Sequence, residues 1–251
     1  LDVNGNIVNT SGVQSGTQSI TPVDIPTIQN TFTVSDTSRF IIVFGCNDYG
    51  SAVLDPMLIR WSNQDDPYNW TPDATNQAGS VRLSHGSKIV ATVQTRQEIF
   101  VLTDPSAYSL QYLGPPYVWQ SQLLGDNISV VSQNAAAIAS GVVYWMGVDK
   151  FYAYDGRVQT LNCDLRRYVF SDINQEQYDQ VFCGTSEGFN EVWWFYCSAN
   201  STTVDKYVIF NYMEKVWYYG TLNRSAWLDS PLRSYPMGAT YQHVLHGSRY
   251  G

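Results

Sequence analysis

The chain has 251 residues, enough to bury a full hydrophobic core in one large domain or two smaller ones. Aromatic residues make up 14% of it, and charged residues also make up only 14%, against about a quarter in average proteins. Its formal net charge of −8 argues against a general nucleic-acid binder, whose affinity comes from Lys and Arg neutralising phosphates. The composition favours a sheet-rich protein, and an acidic surface would let DNA pass close by without gripping it.

The cysteines and histidines form no recognisable metal or redox motif. No C-x-x-C pair is present, and no histidine lies at a zinc-like spacing to a cysteine, so we expect no metal and no cofactor. We expect free, mostly buried thiols, because a chain of this size does not need a disulfide framework. No apolar run approaches the roughly 20 residues of a membrane span. Because the chain begins at Leu1 rather than Met, we expect it to be part of a longer polypeptide.

Residues 1–38 differ in composition from the rest of the chain. They are rich in Asn, Ser, Thr, Gly and Gln, and no aromatic residue occurs before Phe32. This composition predicts an extended or irregular N-terminal arm, with short strands at Ile20–Val23 and Thr31–Val34. Such an arm would gain stability by packing on a neighbouring subunit.

Strand signals become dense in residues 39–251, which we interpret as one β domain. Short segments rich in Val, Ile, Phe, Tyr and Trp and bounded by turn residues are typical of antiparallel strands. We predict such strands at 40–45, 57–62, 88–95, 98–104, 108–114, 135–141, 142–147 and 151–161. Residues 115–127 read as irregular, and a short helix is predicted within 164–178. The segment YQHVLHGS near the end looks like the start of another strand pair.

The richest aromatic stretch lies at 190–222 and predicts a three-stranded meander. Its strands are Val192–Tyr196, Tyr207–Tyr212 and Val216–Tyr219. Glu214 and Lys215 occupy the bend of the last hairpin, so we predict an exposed tip there. Trp217 follows, and we expect it to act as a wedge between neighbouring sheets.

A loose repeat connects this meander with three earlier segments. Comparable aromatic strands ending in a polar hairpin begin near residues 59, 107, 151 and 209. Four-stranded propeller blades repeat at about 40–50 residues, whereas an immunoglobulin-like sandwich lacks such a period. The sequence therefore predicts an all-β fold of the β-propeller type, complete or partial, with four to five blades of antiparallel meander.

The acidic turn at 62–73 is the best candidate for a local site. Asp65 and Asp66 could belong to a calcium loop, but the EF-hand pattern is absent. We favour a turn in which these side chains cap backbone amides while Trp70 packs between blades. Trp61, and Asp155 in the segment FYAYDGRVQTL, are further turn or blade candidates.

No catalytic residue is indicated. A glycosidase needs two carboxyls about 5–9.5 Å apart across a cleft, and no local signature pairs any of the acids. G-x-S-x-G is absent, and three histidines offer few general bases. We therefore expect a protein that is not an enzyme.

Several ordered phrases resemble a known class of viral protein. The whole set spans about residues 55–230, and GPP, YWMG, YDGRVQ, EVWWFY and EKVWYYG are the most specific phrases in it. In this order they resemble tail structural proteins of short-tailed (podovirus-type) bacteriophages, namely nozzle or packaged-DNA-stabilisation proteins. Residues 1–38 lie outside the resemblance, and none of the phrases carries a known chemical role.

The resemblance implies a virion protein with a structural function. It implies a β-propeller subunit in a ring of six copies, which contacts adaptor and fibre proteins and forms the tail nozzle or tube. DNA would cross this conduit on ejection without sequence-specific binding, and the ring would help to retain the packaged genome. The alternative is a carbohydrate-recognising propeller, either a tail adhesin or a lectin, which would present exposed aromatic residues beside amides and carboxylates in a pocket.

Overall fold

The computed structural model of the protein describes residues 24–240 and the backbone of residues 244–245. This part of the chain divides into two compact units. The first contains residues 24–84 and 113–118, and the second contains the remainder.

The described residues form five antiparallel sheets, in each of which every strand pairs with the next strand in sequence. The first sheet contains β1 (Gln29–Val34), β2 (Ile41–Asn47), β3 (Leu54–Trp61) and β4 (Gly79–Arg82). The second contains β5 (Ile89–Gln94), β6 (Glu98–Thr103), β7 (Ser106–Gly114) and β8 (Val118–Asp126). The third contains β9 (Ala136–Ala139), β10 (Val142–Met146), β11 (Phe151–Tyr154) and β12 (Val158–Leu161).

The remaining elements complete the second unit. The fourth sheet contains β13 (Phe182–Ser186), β14 (Glu191–Tyr196), β15 (Lys206–Asn211) and β16 (Val216–Thr221). The fifth, with three strands, contains β17 (Ala226–Leu228), β18 (Met237–Ala239) and β19 (Val244–Leu245). A short helix, α1 (Arg166–Asp172), and a 3-10 helix (Gln175–Gln180) connect the third sheet to the fourth, and another 3-10 turn (Glu187–Phe189) connects β13 to β14.

The sheets of the second unit are arranged as propeller-type blades. Their first strands are successive neighbours, with β5 next to β9, β9 next to β13, and β13 next to β17. These strands begin at residues 89, 136, 182 and 226, a period within the range expected of blades. The prediction of an all-β fold of meander blades is therefore confirmed.

Aromatic side chains fill the space between consecutive sheets of this unit. Phe100 of β6 lies 5.2 Å from Trp145 of β10, measured between ring centroids. Phe151 of β11 lies 4.9 Å from Trp194 of β14. Because both faces of a middle strand are covered in this way, these strands are apolar on both faces and do not alternate.

The four segments of the predicted repeat correspond to the same strand of each four-stranded sheet. They contain all or part of β3, β7, β11 and β15, which are the third strands of the four-stranded sheets. The predicted helix within 164–178 is present as α1 and the 3-10 helix that follows it. The prediction of an irregular segment at 115–127 was wrong, because most of it forms β8, and β4, β13, β17 and β18 were not predicted.

The predicted arm is described only in part. Residues 1–23, including the predicted strand Ile20–Val23, lie outside the described residues. The predicted strand Thr31–Val34 lies within β1, which pairs with β2 of the first sheet. The predicted boundary after residue 38 thus falls between two paired strands, and the division into arm and propeller domain stays a prediction.

Candidate functional site

The acidic turn of the first unit is a network of backbone caps. Asp66 Oδ1 accepts a hydrogen bond from the Tyr68 amide (3.1 Å), and the backbone of Asp66 bridges to that of Asn63. Asp65, in the left-handed region at φ 58°, forms an exposed ion pair with Arg39 (2.9 Å). These contacts are those of a turn, in line with the reading favoured from the sequence.

The two tryptophans near this turn are buried and serve the first sheet. The Trp61 indole donates to the Gln77 carbonyl (2.8 Å) and packs over Gly79 on the paired strand β4. The Trp70 indole donates to the Pro67 carbonyl (2.9 Å) and packs on Val43. Trp70 thus covers a face of its own sheet, whereas the sequence suggested a place between blades.

The hairpin after β15 has the predicted form. Asn211 Oδ1 accepts hydrogen bonds from the amides of Met213 (3.1 Å) and Glu214 (2.9 Å). Lys215 takes the left-handed conformation at φ 61° that closes the turn. Glu214 and Lys215 are both exposed, so the tip faces solvent.

Trp217 lies at the contact between the third and fourth sheets, and Asp155 lies in an exposed turn of the third sheet. The Trp217 indole donates to the Asn162 carbonyl (2.8 Å), and its ring lies 4.7 Å from Phe151 of the third sheet. Trp217 therefore contacts the neighbouring blade, the position expected of a wedge. Asp155, in the β11–β12 turn, is exposed and accepts two hydrogen bonds from Gln159 Nε2 (2.9 and 3.0 Å).

The cysteines are free thiols, as expected. Two are buried and two are half-buried, and burial raises the pKa of Cys46 to about 12 and that of Cys163 to about 11. Across residues 24–240, no three His, Cys, Asp or Glu side chains gather as metal ligands would. Two of the three histidines, His243 and His246, lie outside the described residues.

Two depressions lie at opposite ends of the first strands of the second unit. One, of about 670 Å³, lies where β5, β9 and β13 end, and we call it the acidic depression. Its charged lining residues are Arg96, Glu98, Asp155 and Glu187. The other, of about 610 Å³, lies where β9, β13 and β17 begin and includes part of β5.

Glu98 is the most closely held carboxylate of the acidic depression. Its oxygens accept hydrogen bonds from Ser109 and Gln111 of the same sheet and from the Tyr154 hydroxyl of the next sheet. Burial opposes the charge of Glu98, but these three donors outweigh burial and lower the pKa of its carboxyl. Glu98 is therefore an ionised acceptor that joins two blades.

The second depression, which we call the amide groove, is neutral along most of its wall. Its polar lining consists of amide and hydroxyl side chains with one carboxylate: Thr92, Gln133, Asn134, Asp179, Gln180 and Ser225. Two aromatic rings, Phe182 and Trp227, also line it. The groove thus combines groups that both donate and accept hydrogen bonds with apolar ring surface.

The amide groove has a fixed backbone. The Cys183 amide of β13 donates to the Asn134 carbonyl before β9 (2.7 Å), which joins the starts of two first strands. Burial raises the pKa of the Cys183 thiol well above its usual value, so this lining residue adds no charge.

Sequence reasoning did not find the amide groove. Its lining residues lie on four strands, on the 3-10 helix and on connecting segments between positions 92 and 227, and no local motif connects them. The one available signal was the abundance of Asn, Gln, Ser and Thr, which does not say where these side chains meet.

Comparisons with known proteins leave the family open. No protein-family model and no curated protein matches the chain. One solved structure that matches is Kluyveromyces lactis Hsv2 with its complete loop 6CD, at 15% identity and TM-score 0.48, covering 87% of this chain and 61% of Hsv2. Another is a putative exported protein of Bacteroides fragilis, at 8% identity and TM-score 0.39, covering 83% of this chain and 65% of that protein. The chain spans less than two thirds of either protein, and likenesses this weak carry no functional argument.

Within the described part of the chain, no helix is long and apolar enough to cross a bilayer.

Proposed function

We propose that the protein is a structural, non-enzymatic subunit of a phage tail that assembles into a ring. In this proposal the ring forms the nozzle or tail tube, conducts DNA during ejection and helps to retain the packaged genome. The proposal starts from the ordered phrases that resemble tail proteins. Two of these phrases, EVWWFY and YWMG, lie mostly in the buried strands β14 and β10, so they describe blade architecture.

The observation that carries the proposal is exposed apolar surface in both units. Phe32 and Val34 point from the same face of β1 and are 60% and 52% exposed. In the second unit, the loop after β17 exposes Leu232 (93%) and Tyr235. Large apolar side chains grouped on a surface are typical of protein–protein contacts, and a ring buries two different surfaces of each subunit.

The electrostatic properties of the chain agree with a conduit. A net charge of −8 repels a phosphate backbone, so DNA would move past the ring without being held. Glu98, the enclosed carboxylate of the acidic depression, is occupied by three hydrogen-bond donors and acts as a structural acceptor.

Measurement of the oligomeric state tests the ring. Native mass spectrometry and electron microscopy of the purified chain are expected to show six-membered rings at micromolar concentration. The double variant Phe32→Ser/Val34→Ser should dissociate them, because it removes apolar contact area from β1. Val53→Ser, a matched change of an exposed valine in a loop of the same unit, should leave the rings intact.

Two outcomes would overturn this proposal. One is a wild-type chain that stays monomeric at all concentrations tested. The other is an image of the intact phage particle that places the chain in peripheral fibres.

Carbohydrate recognition is a second candidate function, because of the amide groove. Amide side chains beside the rings of Phe182 and Trp227 form the kind of surface that a glycan-binding propeller would present. Saturable binding of a host polysaccharide by the purified chain would support this function, and its absence would remove it.

A further inference from the structure

We propose that the amide groove binds a neutral oligosaccharide segment. This inference rests on the second candidate function and does not depend on ring formation. It assigns a place and a ligand class to that function. The volume of about 610 Å³ lies within the range of small-molecule sites and accommodates a few sugar rings.

The groove has free hydrogen-bonding capacity. Within the described part of the chain, the side-chain amides of Gln133 and Asn134 have no hydrogen-bond partner, and both side chains are exposed. Gln180 is already positioned, since its Nε2 donates to the Thr202 carbonyl (2.9 Å). Each amide offers a donor and an acceptor side by side, which matches the paired hydroxyls of a sugar.

The aromatic walls of the groove are held in place before any ligand arrives. The Trp227 indole stacks on Trp193 (5.1 Å between centroids) and donates to the Thr185 carbonyl (2.8 Å). Gly184 permits this close approach, because a Cβ at this position would lie 2.4 Å from Trp227 Cδ1. Phe182 stacks on Phe195 at 4.7 Å. One side of each ring is thus fixed by the core, which lowers the cost of ordering the site on binding.

The charge of the groove selects among ligand classes. Of the described residues that line it, none is Lys or Arg, and Asp179 is the one charged group. Phosphate-bearing ligands, including single-stranded nucleic acid, would meet no neutralising cation. The acidic depression at the other end of the first strands is charged instead, so a neutral polyhydroxyl ligand fits the amide groove better.

The test is a binding titration with neutral hexasaccharides of gluco, galacto and manno configuration. Saturation-transfer NMR and intrinsic tryptophan fluorescence should show saturable binding of at least one of them to the full chain. Gln133→Ala/Asn134→Ala should weaken this binding about tenfold or more, because it removes two side chains that contact ligand without disturbing any hydrogen bond of the fold.

Gln97→Ala is the matched control, since Gln97 is exposed and lines the acidic depression. It should bind with unchanged affinity. The proposal is overturned if no hexasaccharide binds at millimolar concentration, if Gln133→Ala/Asn134→Ala binds like the wild type, or if a single-stranded DNA oligomer competes for the groove. The oligomeric state of each sample is measured in parallel. A wild-type chain that binds the hexasaccharide but forms no ring would refute the ring proposal and leave the binding proposal standing.

Discussion

Strands β14 and β16 belong to one sheet and have similar compositions but opposite environments. In β14 (EVWWFY) every residue after Glu191 is buried, whereas in β16 (VWYYGT) no residue is fully buried. The third sheet shows the same contrast between its second and fourth strands, β10 and β12. Aromatic content therefore does not determine burial in this protein. The place of a strand within its sheet does, because both faces of a second strand are covered by side chains of the core.

The largest effect should come from Trp194→Ala. Trp194 is fully buried, donates its indole hydrogen to the Ala135 carbonyl (3.0 Å) and lies 4.9 Å from Phe151. Truncation should lower the free energy of unfolding by about 3–5 kcal/mol, measured by urea unfolding followed by circular dichroism. Tyr218→Ala on the exposed strand β16 should change it by less than about 0.5 kcal/mol. Equal effects would refute the contrast between the two strands.

A smaller effect should come from changing Glu98, the first residue of β6, which is the second strand of its sheet. Glu98→Gln replaces a carboxylate that accepts from Ser109, Gln111 and Tyr154, so it should lower the free energy of unfolding by about 1–3 kcal/mol at pH 7. Glu214→Gln at the exposed hairpin tip is the matched control and should have no measurable effect.

The effect of Glu98→Gln should depend on pH in one direction. The folded-state pKa of Glu98 is lowered, so its stabilising contribution is complete above the unfolded-state value of about 4.3 and is lost as the pH falls through the folded-state value. Unfolding curves of the wild type and Glu98→Gln should therefore converge in acid. A difference that grows below pH 4 would contradict the ionised role of Glu98.

The smallest effect should come from Trp217→Phe. Trp217 lies on the exposed strand β16 but contacts the neighbouring sheet, so it is an exception on that strand. The substitution removes the hydrogen bond to Asn162 and part of the ring that contacts Phe151, at an expected cost of about 1–2 kcal/mol. Tyr219→Phe on the same strand removes a hydroxyl that has no partner among the described residues, and it should be neutral in the same thermal or urea unfolding experiment. Equal stability of the two variants would show that Trp217 does not couple the sheets.

The sequence predicted the fold class because the third strands of the four-stranded sheets carry a visible signal. Strands such as β11 and β15 are aromatic and end in short polar turns, so their repeat can be recognised. The outer strands β4 and β8 lack that signal. β4 (GSVR) has only four residues and one large apolar side chain, and β8 (VWQSQLLGD) mixes polar and apolar residues without regular alternation.

The candidate site was harder to predict from the sequence than the fold class, because its residues meet only in the tertiary structure. The sequence suggested a place for Trp70 between blades, but its ring packs in a buried cluster with Val43 and Leu58 of its own sheet. The amide groove unites residues as far apart as Thr92 and Trp227, and only the adjacency of the first strands brings them together. Local sequence patterns do not show which distant strands lie side by side.

The outer edge of β16 has a practical consequence for handling the isolated chain. Residues 216–221 contain no charged side chain and no proline, and Tyr218 and Tyr219 are exposed. Soluble sheets usually protect such edges with charges, prolines or bulges, and unprotected ones pair with other chains. Concentrated solutions of the free protein are therefore expected to aggregate through this strand, and Tyr218→Lys should improve solubility.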